Sequence, residues 1–139
     1  SGVRRARKAC RRSRRRQGGD VDTLLVGCVA VFFAGMGLVA LLRPERVLAF
    51  FGTHALTRDG RNEVRAVYGG FGLAVAALLG ASFQLPELRS GTLITVAVAL
   101  LGMAAGRLIA AALDGPPGFF PWLFLGVEIA LAAALLAAL

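Results

Sequence analysis

The sequence predicts an all-α protein: an integral membrane bundle of four transmembrane helices with a basic N-terminal tail. Three observations predict it. The 139 residues are 57 % hydrophobic with a mean hydropathy of +0.70, high for a soluble domain of average composition. Four charge-poor apolar stretches each run to about twenty residues, enough at 1.5 Å rise per residue to cross a hydrocarbon core of about 30 Å. Charge or helix-breaking residues fill the gaps between them. A transmembrane β-barrel would need alternating polarity, and the sequence has none.

Residues 1–22 hold nine of the sixteen basic residues, opposed by Asp20 and Asp22. They carry +7 of the net +8, so the pI of about 11.4 belongs to this tail. Such a composition predicts a disordered cytoplasmic tail, followed by one transmembrane domain over 23–139. The bilayer is the first expected partner, and the tail can also attract anionic lipid. With no aromatic residue and no recognisable nucleic-acid fold in the tail, nucleic acid is not an expected partner. Cys10 and Cys28 have neither a disulfide framework nor metal spacing. Leu25-Val26-Gly27-Cys28 has the look of a lipoprotein cleavage box but stands at the start of an apolar run. Cys28 is therefore read as a buried helical cysteine.

The first span, about 23–42, contains no charge and ends at Arg43-Pro44-Glu45-Arg46, where charge and proline stop a helix. Val47–Gly52 is too short to cross and reads as an interfacial turn before the polar loop 53–61. The second span, about 63–84, has Asn62 as its expected N-cap, and Pro86-Glu87 is expected to close it. The third, about 90–113, is interrupted by Arg107 and stops at Asp114-Gly115-Pro116-Pro117-Gly118. The fourth, about 119–139, starts with Phe119, Phe120, Pro121 and Trp122, which suit a helix start at the water–lipid boundary, and is interrupted by Glu128. Gly102 and Gly106 form a small-xxx-small pair in the third span, and Ala66 and Gly70 repeat that spacing in the second. Both pairs, with Gly35 and Gly37 thinning the first span, are expected to let helices pack closely within the chain. Oligomeric state is left open.

A basic tail predicts cytoplasmic N- and C-termini in a multi-pass protein of the cell (inner) membrane. The loops alone, with Arg43, Arg46, Arg58 and Arg61 on one face and only Arg89 on the other, favour the reverse.

The few charges inside the spans are the best pointer to a site, since each costs about 2.5–3.5 kcal/mol near a helix centre on insertion scales. The second span starts, the third ends and the fourth starts on one face of the membrane. From that face Glu63 and Arg65 lie within about 5 Å, Tyr68 about 9 Å, Arg107 about 10 Å and Glu128 about 13 Å deep at helical rise. Arg107 and Glu128, opposite in charge and similar in depth, are expected to pair, with Glu63 and Arg65 nearby. Asp114 stands at a helix C-terminus, which the macrodipole disfavours for an anion. It is expected to neutralise Arg65 or Arg107, or to cap the turn. Two readings of this set stand side by side: a ligand-binding site and a structural charge network.

In order and spacing these residues have a further meaning. Asn62-Glu63-x-Arg65 opens the second span with Gly72 on the following face. Gly106-Arg107-Leu108 lies late in the third, Gly115-Pro116 follows, and Glu128 is in the fourth. The pattern resembles a bacterial family of small four-helix membrane proteins catalogued as domain of unknown function 4345, over roughly Leu24 to Leu139. The resemblance implies the four-helix fold and the importance of Glu63, Arg65, Arg107 and Glu128, and it implies no activity. The family has a small hydroxyl residue shortly after the Gly-Arg pair, where this sequence has Ala110 and Ala111.

Three functions compete. A binding or carrier protein would receive a small polar or anionic molecule, or a lipid head group, in a charged half-cavity, with Arg65 and Arg107 as electrostatic partners. A structural or interaction subunit of a membrane complex would use the charges only to hold the bundle. A membrane enzyme acting on a lipid-soluble substrate would use Glu63 or Glu128 as acid/base and Tyr68 as a donor. His54 has no metal-ligand spacing around it, Gly69-Gly70-Phe71-Gly72 is not a phosphate loop, and no nucleophile–base arrangement exists. No catalytic residue, metal or cofactor is assigned.

Overall fold

A computed structural model describes residues 2–52 and 57–139, with side chains from residue 19 onward. Among the described residues there are six α-helices and one π-helical stretch, and all of them except the short second helix make up four spans. Helix α1 is Gly2–Leu42, and the backbone of the basic tail continues the helix of the first span. Helix α2, Pro44–Ala49, is a short return element with Pro44 in its first turn and Glu45 beside it, both placed where a helix N-terminus favours them.

The second span is built from α3 (Arg58–Val64), a π turn (Arg65–Gly70) and α4 (Phe71–Ala81). Its start differs from the sequence expectation. Thr57, not Asn62, is the N-cap: its hydroxyl accepts from the Gly60 N–H at 3.0 Å, the geometry that satisfies an orphan donor. The segment 58–61 was expected to be loop. Thr57 followed by Asp59 is an alternative start signal, and it places Asn62 inside the helix. His54 and the rest of 53–56 lie outside the described residues.

Pro86 is a second correction. It opens the third span at its first turn instead of closing the second. The second span ends earlier, where the Ser82 hydroxyl donates to the Leu79 carbonyl at 2.7 Å. Helix α5, Pro86–Asp114, is therefore longer than expected. It stops at Gly115, whose φ of 90° is a conformation glycine adopts without penalty. Helix α6 is Phe119–Ala137. Among the described residues no strand occurs.

The spans pair as two hairpin-like units: α1 with the second span, and α5 with α6. In the half of the bundle where α1 begins its span, both units close on one apolar core. Val26 and Val29 meet Val75, Leu79, Leu93, Val96, Ala97, Leu100, Ala132 and Leu135 there. Near the opposite face a small cluster of Ala40, Val47 and Val64 ties α1, α2 and α3 together.

The outer surface is apolar. Val31 is 73 %, Leu113 78 % and Phe119 72 % exposed. Contiguous exposure of this kind is a liability in water and the normal surface of a helix in lipid. Four spans, Gly19–Leu42, Arg58–Ala81, Pro86–Asp114 and Phe119–Ala137, are long and apolar enough to cross a membrane. Cys28 is exposed on this surface, against the expectation that it would be buried.

Of the small residues expected at helix contacts, Gly37 makes one, and the other close approaches are made by Gly69 and Gly72. A Cβ on Gly37 would lie 3.0 Å from the Gly69 carbonyl oxygen and 3.0 Å from the Leu73 nitrogen. One on Gly72 would lie 3.3 Å from the Phe33 carbonyl oxygen, and one on Gly69 2.7 Å from the Leu41 side chain. A Cβ added to Gly102 or Gly106 would meet nothing within 4 Å, and Ala66 and Gly70 are exposed. Helix periodicity is the reason: the inward face of α5 runs through Thr92, Val96, Leu100 and Ala104, which turns Gly102 and Gly106 outward.

Candidate functional site: an aromatic cavity with an ion pair in its wall

Between the sealed core and the α2 face the two helix pairs diverge. They leave a cavity of about 280 Å³. Its wall is mostly aromatic and aliphatic: Phe32, Phe33 and Met36 from α1, Phe50 and Phe51 after α2, Phe71 from α4, Leu100 and Met103 from α5, and Phe124 and Val127 from α6. Three polar side chains join it, namely Tyr68, Arg107 and Glu128.

Arg107 and Glu128 face each other across the α5–α6 hairpin. The Arg107 Nε–H donates to both Glu128 carboxylate oxygens at 2.9 Å, and Nη2 donates to Oε1 at 2.8 Å. Glu128 is buried, while the Arg107 side chain keeps 24 % of its exposure. A forked guanidinium–carboxylate contact of this kind combines charge with directional hydrogen bonds, and it meets the demand that a charge within a span be paired. Arg107 also lies over the Phe124 ring, 5.4 Å from its centroid, where the ring face attracts a cation.

The aromatic part of the wall is held from outside the spans. After α2 the chain places Phe50 5.0 Å from Phe120 and 6.3 Å from Phe124, and Phe51 5.8 Å from Phe124, centroid to centroid. These spacings are those of favourable ring pairs. The short segment read from sequence as an interfacial turn thus closes α1 and α2 onto α6 and lines the cavity. Gly52, with φ of 76°, ends it.

On the membrane-face side of Arg107 lies a second hollow of about 370 Å³, between the end of α5 and the start of α6. Ala110, Ala111, Asp114, Pro117 and Pro121 border it. Arg107 is common to both spaces.

Of the remaining predicted residues, Tyr68 shares the cavity wall with the pair and Asp114 borders the outer hollow with Arg107, whereas Arg65 and Glu63 stand apart. The Arg65 Nε–H donates to the Leu41 carbonyl at 3.0 Å, so it caps the end of α1, where terminal carbonyls lack helical partners and the dipole favours a cation. Glu63 is exposed and joins no ion pair among the described residues. Asp114 is exposed at the rim of the outer hollow and likewise unpaired among them. Tyr68 reaches the cavity from the π turn, and such turns recur at functional sites.

Sequence reading missed the phenylalanines as a set, because Phe32–Phe33, Phe50–Phe51, Phe71 and Phe124 are far apart in the chain. It also missed the matching cap at the other face, where Arg89 Nη2 donates to the Ala138 carbonyl at 3.3 Å.

A helical bundle with four spans long and apolar enough to cross a membrane, and an ion pair in the wall of a partly open cavity, defines a small polytopic membrane protein. The model of the family described as Domain of unknown function (DUF4345) matches residues 21–139, and the chain belongs to that family. No curated protein and no solved structure matches it.

Proposed function

We propose that the protein is a binding or carrier protein of the cell's inner membrane, which takes a small lipid-soluble molecule, or the head group of a lipid, into the aromatic cavity. The apolar body of the ligand lies among Phe32, Phe33, Phe71 and Phe124, and its polar or anionic end reaches Arg107 and Tyr68. One observation carries this reading: a space of about 280 Å³ between four helices, with its polar groups confined to Tyr68, Arg107 and Glu128. Convergent polar groups in an otherwise apolar pocket are the usual form of a small-molecule site. A cavity of about 150 Å³ takes benzene, so this one has room for roughly ten heavy atoms.

A second reading is supported by a specific feature. The Arg107–Glu128 fork is closed, and Gly102 and Gly106 face outward. Both suit a structural or interaction subunit whose α5 surface meets another membrane helix. A membrane enzyme is supported least, since Glu63 stands outside the cavity and Glu128 is engaged by Arg107.

Native mass spectrometry on protein gently extracted from its host membrane separates these readings. Wild type is compared with Met36→Trp, which fills the cavity from α1. Binding predicts a defined extra mass on wild type that is lost or strongly reduced in the variant. A bare mass in both folded samples sinks the binding reading and leaves the subunit.

A further inference from the structure

The wall chemistry narrows the ligand, and the narrowing rests on the binding function proposed above. Arg107 uses its Nε–H and one N–H of Nη2 on Glu128. A guanidinium has five N–H donors, so three remain. Among the described residues no buried side-chain nitrogen or oxygen lacks a partner, so Nη1, which donates to neither Glu128 oxygen, is accessible, and the side chain borders both hollows. Glu128 is in the opposite condition, since both its oxygens accept from Arg107 and it is buried. The pair therefore offers hydrogen-bond donors while its net charge is zero.

That combination discriminates by charge. An anion entering the cavity would lose its hydration and meet a positive charge already neutralised by Glu128. A cation would find the only carboxylate in the wall buried and already holding the Arg107 guanidinium on both oxygens. Either would be left uncompensated in an apolar, phenylalanine-lined space, which costs far more than burying a neutral polar group that finds a partner. We infer that the cavity selects a neutral, mainly apolar molecule bearing a carbonyl oxygen, which accepts from the spare Arg107 N–H groups. The Tyr68 hydroxyl, also in the wall, is a second neutral donor.

The test uses four probes of nearly one size, matched to room for roughly ten heavy atoms: propiophenone, 3-phenylpropanoate, 3-phenylpropylamine and propylbenzene. Binding to the full chain in lipid nanodiscs is followed by ligand-detected NMR, with empty nanodiscs subtracted. The expected order places propiophenone at least five-fold tighter than propylbenzene, with the carboxylate and the amine weaker than both. In the double variant Arg107→Leu with Glu128→Leu, propiophenone should fall to the level of propylbenzene while propylbenzene still binds, which also shows that the cavity survives. Equal binding of propiophenone and propylbenzene to wild type overturns the carbonyl preference but keeps the cavity as an apolar site. Tightest binding by 3-phenylpropanoate overturns it too, and would mean that Glu128 yields Arg107 to an anion. If no probe binds and Met36→Trp changes nothing, the binding function falls with it.

Discussion

Arg107 and Glu128 set the terms at the scale of single residues. A charge left alone inside a span is costly, whereas a pair of apolar side chains is at home there. Arg107→Ala should therefore lose about 3–5 kcal/mol of stability by stranding Glu128, whereas Arg107→Leu with Glu128→Leu should stay near wild type. Thermal melting in one detergent decides it, and equal losses in the single and double variants would show that Glu128 is not stranded when Arg107 is removed, so that the two do not depend on each other as a pair. The two residues were legible in the sequence because opposite charges at matching depth have few other partners in a bilayer. Arg65 was not legible in the same way. Its depth allowed a place in the network, and only the path of α1 puts the Leu41 carbonyl within its reach. The hydrophobic residues of the cavity gave no signal at all, since phenylalanine has the same composition value facing lipid, core or ligand.

At the scale of elements, the sequence carried span number and approximate length, because the hydrocarbon thickness fixes both. Span ends were less legible. Proline fits either just after a helix or in its first turn, and at Pro86 the second placement holds. Which small residues touch was only partly legible: Gly37 was among those expected, but each span carries several and only the bundle decides which face turns inward. The contrast is measurable. Gly37→Ala should destabilise by about 1–3 kcal/mol, the usual scale for overpacking, since its Cβ would meet backbone atoms of Gly69 and Leu73 at 3.0 Å. Gly106→Ala, which meets nothing within 4 Å, should be neutral or gain up to about 1 kcal/mol from helix propensity. Paired melts of the two variants test this, and a large loss in Gly106→Ala would place a partner helix on that face.

For the whole molecule the question is which face is which. The charged half, with α2, the fork and the outer hollow, lies opposite the end from which the basic tail enters the first span. We propose that the tail sets the orientation against the weaker pull of the loop arginines. In a background without Cys10 and Cys28, Asp59→Cys should be labelled from outside intact cells by an impermeant maleimide. Replacing the nine tail basics with glutamine should abolish or sharply reduce that labelling. Labelling unchanged by the replacement would assign orientation to the spans and loops instead.

The π turn at Arg65–Gly70 has a consequence for how variation can be read along the second span. A wide turn holds more backbone per revolution than the α-helices on either side, so it works as a phase shift of the order of one residue, or about 100° of rotation. Upstream of it Val64 packs against Ala40 and Val47, at its first residue Arg65 is aimed at the end of α1, and downstream Gly72, Val75 and Leu79 are aimed at the interior. No single helical stripe drawn through the whole span describes both. The span is two keys cut on one shaft: a one-residue deletion within the turn is absorbed by its closing to an ordinary α turn and leaves both halves aligned, whereas the same deletion inside α4 would rotate everything beyond it.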